Sequence, residues 1–288
     1  MNKKAIYILC AVFFIPSFSF AQPALNELKF DSKYYEAVDS WIAFPKTQAD
    51  TAYTLGYIYI DQQAGFTFDY LSNFIVTDNG LKKLPREFEE SLKSRLSPNT
   101  INVAILSEEQ ISELELPTEP SWLKFYKEDS NTVSYLKNIG YHYNHVGASK
   151  LAIEPLLKAY DKDPHFEGLE FELAFAYNAT QKYAKAIEIL ERAIGNNSED
   201  HLFYRELGFA YKYTNRIEEA ESTYKKGIEI SDNNFTKAEM AVNMTQSYFQ
   251  LRDKNKFEEW ATLTRKYSEE GSRFSQIIEY FEQNWNQD

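Results

Sequence analysis

Small and apolar residues recur every 34 positions through the second half of the chain. The matching columns hold Gly140, Ala174 and Gly208, then Tyr143, Tyr177 and Tyr211, then Ala152, Ala186 and Ala220. Within each copy, apolar residues lie three and four positions apart in two separate stretches, which is the pattern of two amphipathic helices. In the first copy we expect these helices at 131–145 and 149–160. Because a single hairpin leaves an apolar face uncovered, the repeat predicts hairpins stacked on one another.

Two of the small residues are glycines inside a predicted helix. Gly140 and Gly208 each follow an apolar residue in the first helix of their copy. Glycine in a helix interior costs about 1 kcal/mol relative to alanine. A glycine that returns at the same position in two copies therefore indicates close packing, in which the two helices of a hairpin approach each other at this point.

These columns resemble the tetratricopeptide repeat, whose pattern is W-x2-L-G-x2-Y, then A-x3-F, then P. In the first copy the slots hold Ile139, Gly140, Tyr143, Ala152, Leu156 and Pro164. The later copies keep the helical columns but carry Ser198 and Asp232 in the proline slot. The resemblance implies a mainly α fold, a right-handed solenoid of helical hairpins over 121–274. Its repeats are expected at 133–166, 167–200, 201–234 and, in degenerate form, 238–274, with a capping helix and tail at 275–288.

The segment 22–120 has another pattern and predicts a small α+β domain in front of the solenoid. We expect a helix from Phe30 to Phe44, ended by Pro45. Runs of β-branched and aromatic residues over 52–61 and 66–70, joined by a glycine-containing turn, predict a β-hairpin. A further strand is expected at 101–106, before a short helix capped by Ser107. The pattern of this segment does not identify a family.

The first residues have the pattern of a secretory signal peptide. Lys3 and Lys4 precede an apolar run from Ile6 to Phe14, and small residues lead up to Ala21. A membrane anchor needs about 20 apolar residues, and this run is shorter. We therefore expect a signal peptide at 1–21 and an exported protein, periplasmic or extracellular. The only cysteine, Cys10, lies inside that segment, so the mature chain has no disulfide and no thiolate ligand.

Charge narrows the range of partners. The chain has 31 Lys and Arg against 43 Asp and Glu, so cleavage after Ala21 removes two lysines and leaves 29 against 43, a net charge of −14. Such a molecule repels phosphate backbones and anionic membrane surfaces, which argues against nucleic-acid binding. No other apolar run is long enough to predict a transmembrane segment in the mature chain.

Sequence motifs of catalysis are absent, and we expect no enzyme activity, no cofactor and no metal. The chain has no glycine-rich phosphate loop, no G-x-S-x-G elbow and no H-E-x-x-H motif. His142 and His145 are the best candidates for metal ligands, but no third ligand is evident. Asp61, Asp69 and Asp78 lie near predicted strand ends, where carboxylates serve as acids and bases or, more often, as turn residues.

The resemblance also implies a concave surface, lined by the first helix of each hairpin, that receives a protein or peptide partner. Aromatic residues are typical anchors of such surfaces, although some of the rings here could instead fill the contact between hairpins. With Glu172 and Glu206 on this surface, a neutral or basic partner segment is favoured. The predicted partner-binding residues are Lys137, Tyr141, Asn144, His145, Phe175, Asn178, Arg205, Phe209 and Tyr213.

One variant of the family is not expected here. Members that clamp a C-terminal carboxylate carry Lys and Asn at set positions of three repeats. Lys137 fits one of these positions, whereas the others hold Tyr141, Glu172, Leu202 and Glu206.

The sequence therefore predicts an exported, non-enzymatic scaffold or adaptor that binds a protein or peptide partner in an aromatic groove. Two alternatives remain open: an enzyme with its active site in the α+β domain, and a protein that binds glycan or cell-wall material.

Overall fold

The computed structural model describes residues 27–86 and 90–286, so the predicted signal peptide lies outside the described residues. An antiparallel sheet forms the first part of this structure, and paired helices form the rest. The strands are β1 (Ser40–Phe44), β2 (Tyr53–Asp61), β3 (Gly65–Thr77), β4 (Gly80–Lys83), β5 (Leu92–Arg95) and β6 (Ala104–Ile105). The helices are α1 (Glu108–Glu113), α2 (Leu123–Lys127), α3 (Val133–His145), α4 (Ser149–Tyr160), α5 (Leu169–Ala179), α6 (Tyr183–Asn196), α7 (His201–Tyr213), α8 (Ile217–Ile230), α9 (Asn234–Leu251), α10 (Lys254–Tyr267) and α11 (Arg273–Gln283).

The centre of the sheet, at strand β2, is buried on both faces. Its strand order is β4-β3-β2-β1-β6, and β5 pairs with the first half of β3. Tyr57 and Tyr59 of β2 face one apolar cluster, and Ile58 and Ile60 face the other. Because neither face meets water, β2 is a nearly continuous apolar run and lacks the alternation of a half-exposed strand.

The prediction of a helix from Phe30 to Phe44 is wrong. The structure has a 3-10 helix at Tyr34–Glu36 and then strand β1, separated by Asp39 in the left-handed region at φ 59°. Apolar residues three and four positions apart suggested a helix. A strand buried on both faces satisfies the same pattern, and pairing of β1 with β2 and β6 decides in its favour. The short helix capped by Ser107 and Gln110 is confirmed as α1.

The second part of the chain is the predicted stack of hairpins. Helices α3 and α4 end at His145 and Tyr160, as expected from the sequence. The first helices of the hairpins, α3, α5, α7 and α9, lie side by side and form an inner layer, which α11 extends. The second helices, α4, α6, α8 and α10, each pack between consecutive members of that layer. The structure is therefore mainly α, with tetratricopeptide-like helical pairs behind a sheet-containing unit.

The repeated small residue is where the two helices of a hairpin meet. A Cβ atom added to Gly140 would overlap the side chain of Leu156, and one added to Gly208 would overlap the ring of Tyr224. In the fourth hairpin Thr245 takes a similar place, and its hydroxyl lies 3.1 Å from the hydroxyl of Thr264. Helix α9 has 18 residues and α7 has 13, so the shift in register beyond 234 is taken up as added helix length.

Both ends of the stack are covered by other parts of the chain. Ile139 and Tyr143 of α3, with Val146 just after it, pack on the second apolar cluster of the sheet, and the ring of Tyr143 lies 5.4 Å from that of Phe66. At the other end, the ring of Phe281 in α11 stacks on Phe249 of α9 at 4.5 Å. The sheet therefore covers the first hairpin, and α11 covers the last. None of the helices within the described ranges is long and apolar enough to cross a membrane.

The close approach at Gly208 predicts opposite effects for two Gly→Ala changes. Gly208→Ala forces a methyl group against the fully buried Tyr224 ring, and overpacking of this kind costs about 1–3 kcal/mol. Gly195→Ala, late in α6, meets nothing within 4 Å and should raise the free energy of unfolding by about 0.5–1 kcal/mol. Thermal unfolding of both variants beside the native protein measures the difference. Equal stability of Gly208→Ala and the native protein would contradict the close packing.

Candidate functional site

A concave groove of about 570 Å³ crosses the inner layer of the helical stack. Helices α5, α7, α9 and α11 form its walls. Its lining residues are Phe175, Asn178, Ala179, Arg205, Glu206, Phe209, Phe235, Glu239, Val242, Asn243, Arg273, Phe274 and Ile277. A second depression, of about 580 Å³, shares Val242, Asn243, Arg273 and Ile277 with it and continues along α11. The two form one surface, long enough for a segment of another chain to lie across several helices.

The floor of the groove is apolar and partly open to solvent. Phe175 and Phe209 come from adjacent helices one repeat apart and are half-buried. Phe235 at the start of α9 is 55% exposed, and Ile277 on α11 is 37% exposed, although both lie beside buried Phe274. Burying such side chains under a ligand removes apolar surface from water, so this floor can supply binding energy.

Two asparagines join neighbouring hairpins at one side of the inner layer. Asn178 donates from Nδ2 to the main-chain oxygen of Glu206 at 3.0 Å and to its Oε2 at 2.9 Å. Asn144 makes the same two bonds to Glu172, at 2.9 and 2.8 Å. Both asparagines are buried, and within the described residues the Oδ1 atom of each has no hydrogen-bond partner. Their amide donors are therefore used inside the protein, and only an acceptor is left over.

The charges in the groove are arranged in alternating sign. Arg205 donates from Nη2 to Glu206 at 2.9 Å, and its Nη1 lies 3.5 Å from Glu239. Arg273, at the start of α11, approaches the other oxygen of Glu239 at 3.5 Å. Two arginines thus face two glutamates in the groove, which leaves it with little net charge. Outside the groove lining, burial raises the pKa of Glu172.

The third junction of the inner layer is built differently. Lys212 stands in the position that Asn144 and Asn178 occupy in the earlier copies. Its Nζ donates to Asn243 Oδ1 at 2.9 Å and to Gln246 Oε1 at 2.6 Å. Desolvation of this lysine lowers its pKa to about 8. The longer helix α9 therefore offers two neutral amides where the earlier junctions offer a glutamate.

The predicted partner-binding residues divide into two groups. Phe175, Asn178, Arg205 and Phe209 line the groove together. The others, Lys137, Tyr141, Asn144, His145 and Tyr213, lie outside that lining on α3 and at the end of α7. Contact between any of these residues and a partner stays a prediction.

Two exposed rings of the second group already have aromatic neighbours. The ring of Tyr141, 43% exposed, lies 5.8 Å from that of His145. The ring of Tyr213, 51% exposed, stacks on Tyr183 at 5.2 Å with 14° between the planes. One face of each ring is thus covered from within the chain.

Half of the groove was missed by sequence reasoning. Phe235, Glu239 and Val242 lie on α9, where the register shifts, and Arg273 and Ile277 lie on α11, which was interpreted only as a cap. A signal was present in α11: Ile277 lies at the edge of the apolar face that Phe274, Ile278 and Phe281 form, where a side chain can remain partly exposed.

The side chains considered as metal ligands or as acids and bases lie apart from one another, and those described next contact other parts of the chain. The Nε2 atom of His142 lies 3.0 Å from the carbonyl oxygen of Gln62, and this histidine is buried against the turn between β2 and β3. Asp61 accepts the main-chain N–H groups of Gln63 and Ala64, as a turn residue does. Asp69 pairs across the sheet with Lys93. Within residues 27–86 and 90–286, no three His, Cys, Asp or Glu side chains are grouped to hold a metal ion.

Comparison with known families agrees with the paired helices of the second and third hairpins. The family described as tetratricopeptide repeat matches residues 171–200 and 203–234. Among solved structures, "Crystal structure of MamA" is 24% identical over 51% of this chain and 84% of that chain, with a TM-score of 0.45. "MamA MSR-1 C2" is 21% identical over 56% of this chain and 88% of that one, with a TM-score of 0.42. No curated protein matches the sequence significantly.

The family match falls on α5–α8, which are the second and third hairpins of the stack. The second and third hairpins of the stack therefore belong to the tetratricopeptide repeat family. The fold of this family is a scaffold for protein interaction. The sheet-containing unit before the repeats lies outside the family match.

The buried His142 predicts a dependence of stability on pH. Burial lowers the pKa of His142 below its ordinary value of 6.5. The unfolded chain therefore binds more protons below about pH 6.5, so the contribution of neutral His142 is complete above that pH and is lost as the pH falls. We expect the free energy of unfolding to decrease more steeply between about pH 7 and 5.5 in the native protein than in His142→Gln.

The control for this measurement is His145→Gln, because His145 is exposed one turn away on the same helix. Its unfolding free energy, followed by urea denaturation at several pH values, should run parallel to that of the native protein. If His142→Gln also runs parallel, His142 is not held neutral at the junction with the sheet.

Proposed function

We propose that the protein is an exported, non-enzymatic scaffold that binds a segment of a partner protein in the groove between α5, α7, α9 and α11. The observation that carries the proposal is the groove itself, with an apolar floor, partly exposed rings and charged groups along its length. Aromatic and arginine side chains are the residues that most often dominate protein interfaces. The repeat family supports the same function.

The chemistry of the groove favours a neutral, largely apolar segment over a strongly basic one. Arg205 and Arg273 already face Glu206 and Glu239, so a ligand need not neutralise those carboxylates. Phe175, Phe209, Phe235 and Ile277 offer the apolar surface that such a segment would cover. Of the neutral and basic partner segments that the sequence allows, we therefore favour a neutral one.

The groove is also preorganised. Asn178 and Arg205 fix Glu206 from two sides, and Arg205 reaches Glu239 on the next helix. Side chains that are held before binding lose little conformational entropy when a ligand arrives. The walls are continuous with the core of the helical stack, and therefore a partner can bind without ordering the groove first.

The test begins with protein purified from the envelope or medium of producing cells, where its first residue should be Gln22. A photo-crosslinking side chain at Ile277 then captures the segment that occupies the groove, and the segment is synthesised for calorimetry. Changing Phe175 and Phe209 to Ala should weaken its binding by at least about 2 kcal/mol, roughly 30-fold, because two anchors of the floor are lost.

Leu157→Ala is the matched control, since Leu157 is an exposed apolar residue on α4, outside the groove lining. Its binding and helical circular dichroism should equal those of the native protein. Unchanged binding in a folded Phe175→Ala/Phe209→Ala protein would rule out the groove as the docking site. An unprocessed chain confined to the cytoplasm would contradict the export.

A further inference from the structure

Three aromatic rings on the sheet-containing unit surround a lysine ammonium group. Lys93 Nζ of β5 lies 3.9 Å from the ring centroid of Trp122, 4.8 Å from that of Tyr59 and 5.1 Å from that of Tyr126. The same nitrogen is 3.2 Å from Tyr59 Oη and 3.9 Å from Asp69 Oδ1. An ammonium group enclosed by ring faces with a carboxylate nearby is the arrangement by which proteins recognise organic cations.

The rings contact one another directly, so the lysine is not what holds them in place. Tyr59 meets Trp122 at 4.9 Å and Tyr126 at 4.6 Å, and Trp122 meets Tyr126 at 5.7 Å, all edge to face. Tyr59 is fully buried in β2, and Trp122 and Tyr126 pack on the apolar cluster of that sheet face. We call Tyr59, Trp122, Tyr126 and Asp69 the cation cage. Its walls would persist if Lys93 moved out.

The strand that carries Lys93 is weakly attached. Strand β5 has four residues, all of them exposed, and among the described strands it pairs with β3 alone. The side chain of Lys93 is 31% exposed, so the cage opens to solvent along the lysine stem. A short edge strand with one open side can separate at low free-energy cost, which would free the cage for another cation.

We propose that the cation cage is a second binding site, specific for the ammonium group of a lysine side chain on a partner protein, and that Lys93 occupies it as an internal competitor. The chemistry favours a primary ammonium group over a quaternary one. Tyr59 Oη accepts a hydrogen bond from Nζ at 3.2 Å, which a quaternary ammonium group cannot donate. The ring faces and Asp69, 3.9 Å from Nζ, attract either kind of cation.

The cation cage is independent of the groove between α5, α7, α9 and α11. Its residues belong to β2, β3 and α2, apart from Trp122, which directly precedes α2. A partner with a lysine near its neutral groove-binding segment could use both sites. The two proposals can therefore be tested separately. Groove variants should not change binding at the cage, and cage variants should not change binding in the groove.

Calorimetry on the full chain with three probes tests the proposal. The probes are lysine blocked at both main-chain ends, the same compound acetylated at Nε, and tetramethylammonium chloride. We expect saturable binding of blocked lysine to the native protein and about tenfold tighter binding to Lys93→Ala, if Lys93 fills the cage about nine-tenths of the time. The acetylated probe, which has no charge, should not bind, and tetramethylammonium should bind more weakly than lysine.

Two further variants control the measurement. Lys82→Ala removes an exposed lysine from β4 and should bind blocked lysine as the native protein does. Trp122→Leu in the Lys93→Ala background keeps apolar volume but removes one wall, so binding should be lost. The proposal is overturned if blocked lysine does not bind the native protein, or if a folded Lys93→Ala protein gains no affinity. Equal binding of tetramethylammonium would overturn the assignment to lysine.

Discussion

Each helical hairpin in this protein buries one apolar face within itself and leaves another that only a neighbour can cover. The close approach at Gly140 and Gly208 packs the two helices of a hairpin together, but it leaves the outer apolar face of the hairpin uncovered. The sheet covers one side of α3 through Ile139 and Tyr143, and α11 covers α9 through Phe281. The sheet-containing unit is therefore the first layer of the same packed structure, and contact with α3 helps to bury one of its two faces.

The same stacking builds the site. Placing α5, α7 and α9 side by side brings together residues 34 positions apart, such as Phe175 and Phe209. It also sets Asn178 against Glu206 on the next helix, 28 positions further on, as Asn144 is set against Glu172. These polar bridges belong to the contact between hairpins, and the second one fixes the side chain of Glu206 in the groove. Where α9 lengthens, the bridge changes to Lys212 with two amides, and the groove gains Phe235 and Arg273 at that end.

The sequence predicted the repeat well because its columns report a local contact: a small residue at 140 requires a partner at 156, sixteen positions away. Contacts between units left no such periodic signal. Strand β1 looked helical because apolar residues in it and before it lie three and four positions apart, and only pairing with β2 and the distant β6 makes Trp41, Ile42 and Ala43 a strand. Four of the nine predicted groove residues line the observed groove. Its other half comes from α9 and α11, beyond the point where the register shifts.

The central claim is that the sheet-containing unit and the helical stack are one packed structure, which holds the groove residues in place. Hydrogen exchange of the native chain, followed by mass spectrometry of its peptides, tests this most directly. If the sheet covers the first hairpin, the amides of α3 should be protected as strongly as those of α5 and α7, because all three lie inside the stack. Exchange of α3 at the rate of a frayed end, with α5 and α7 still protected, would contradict the account.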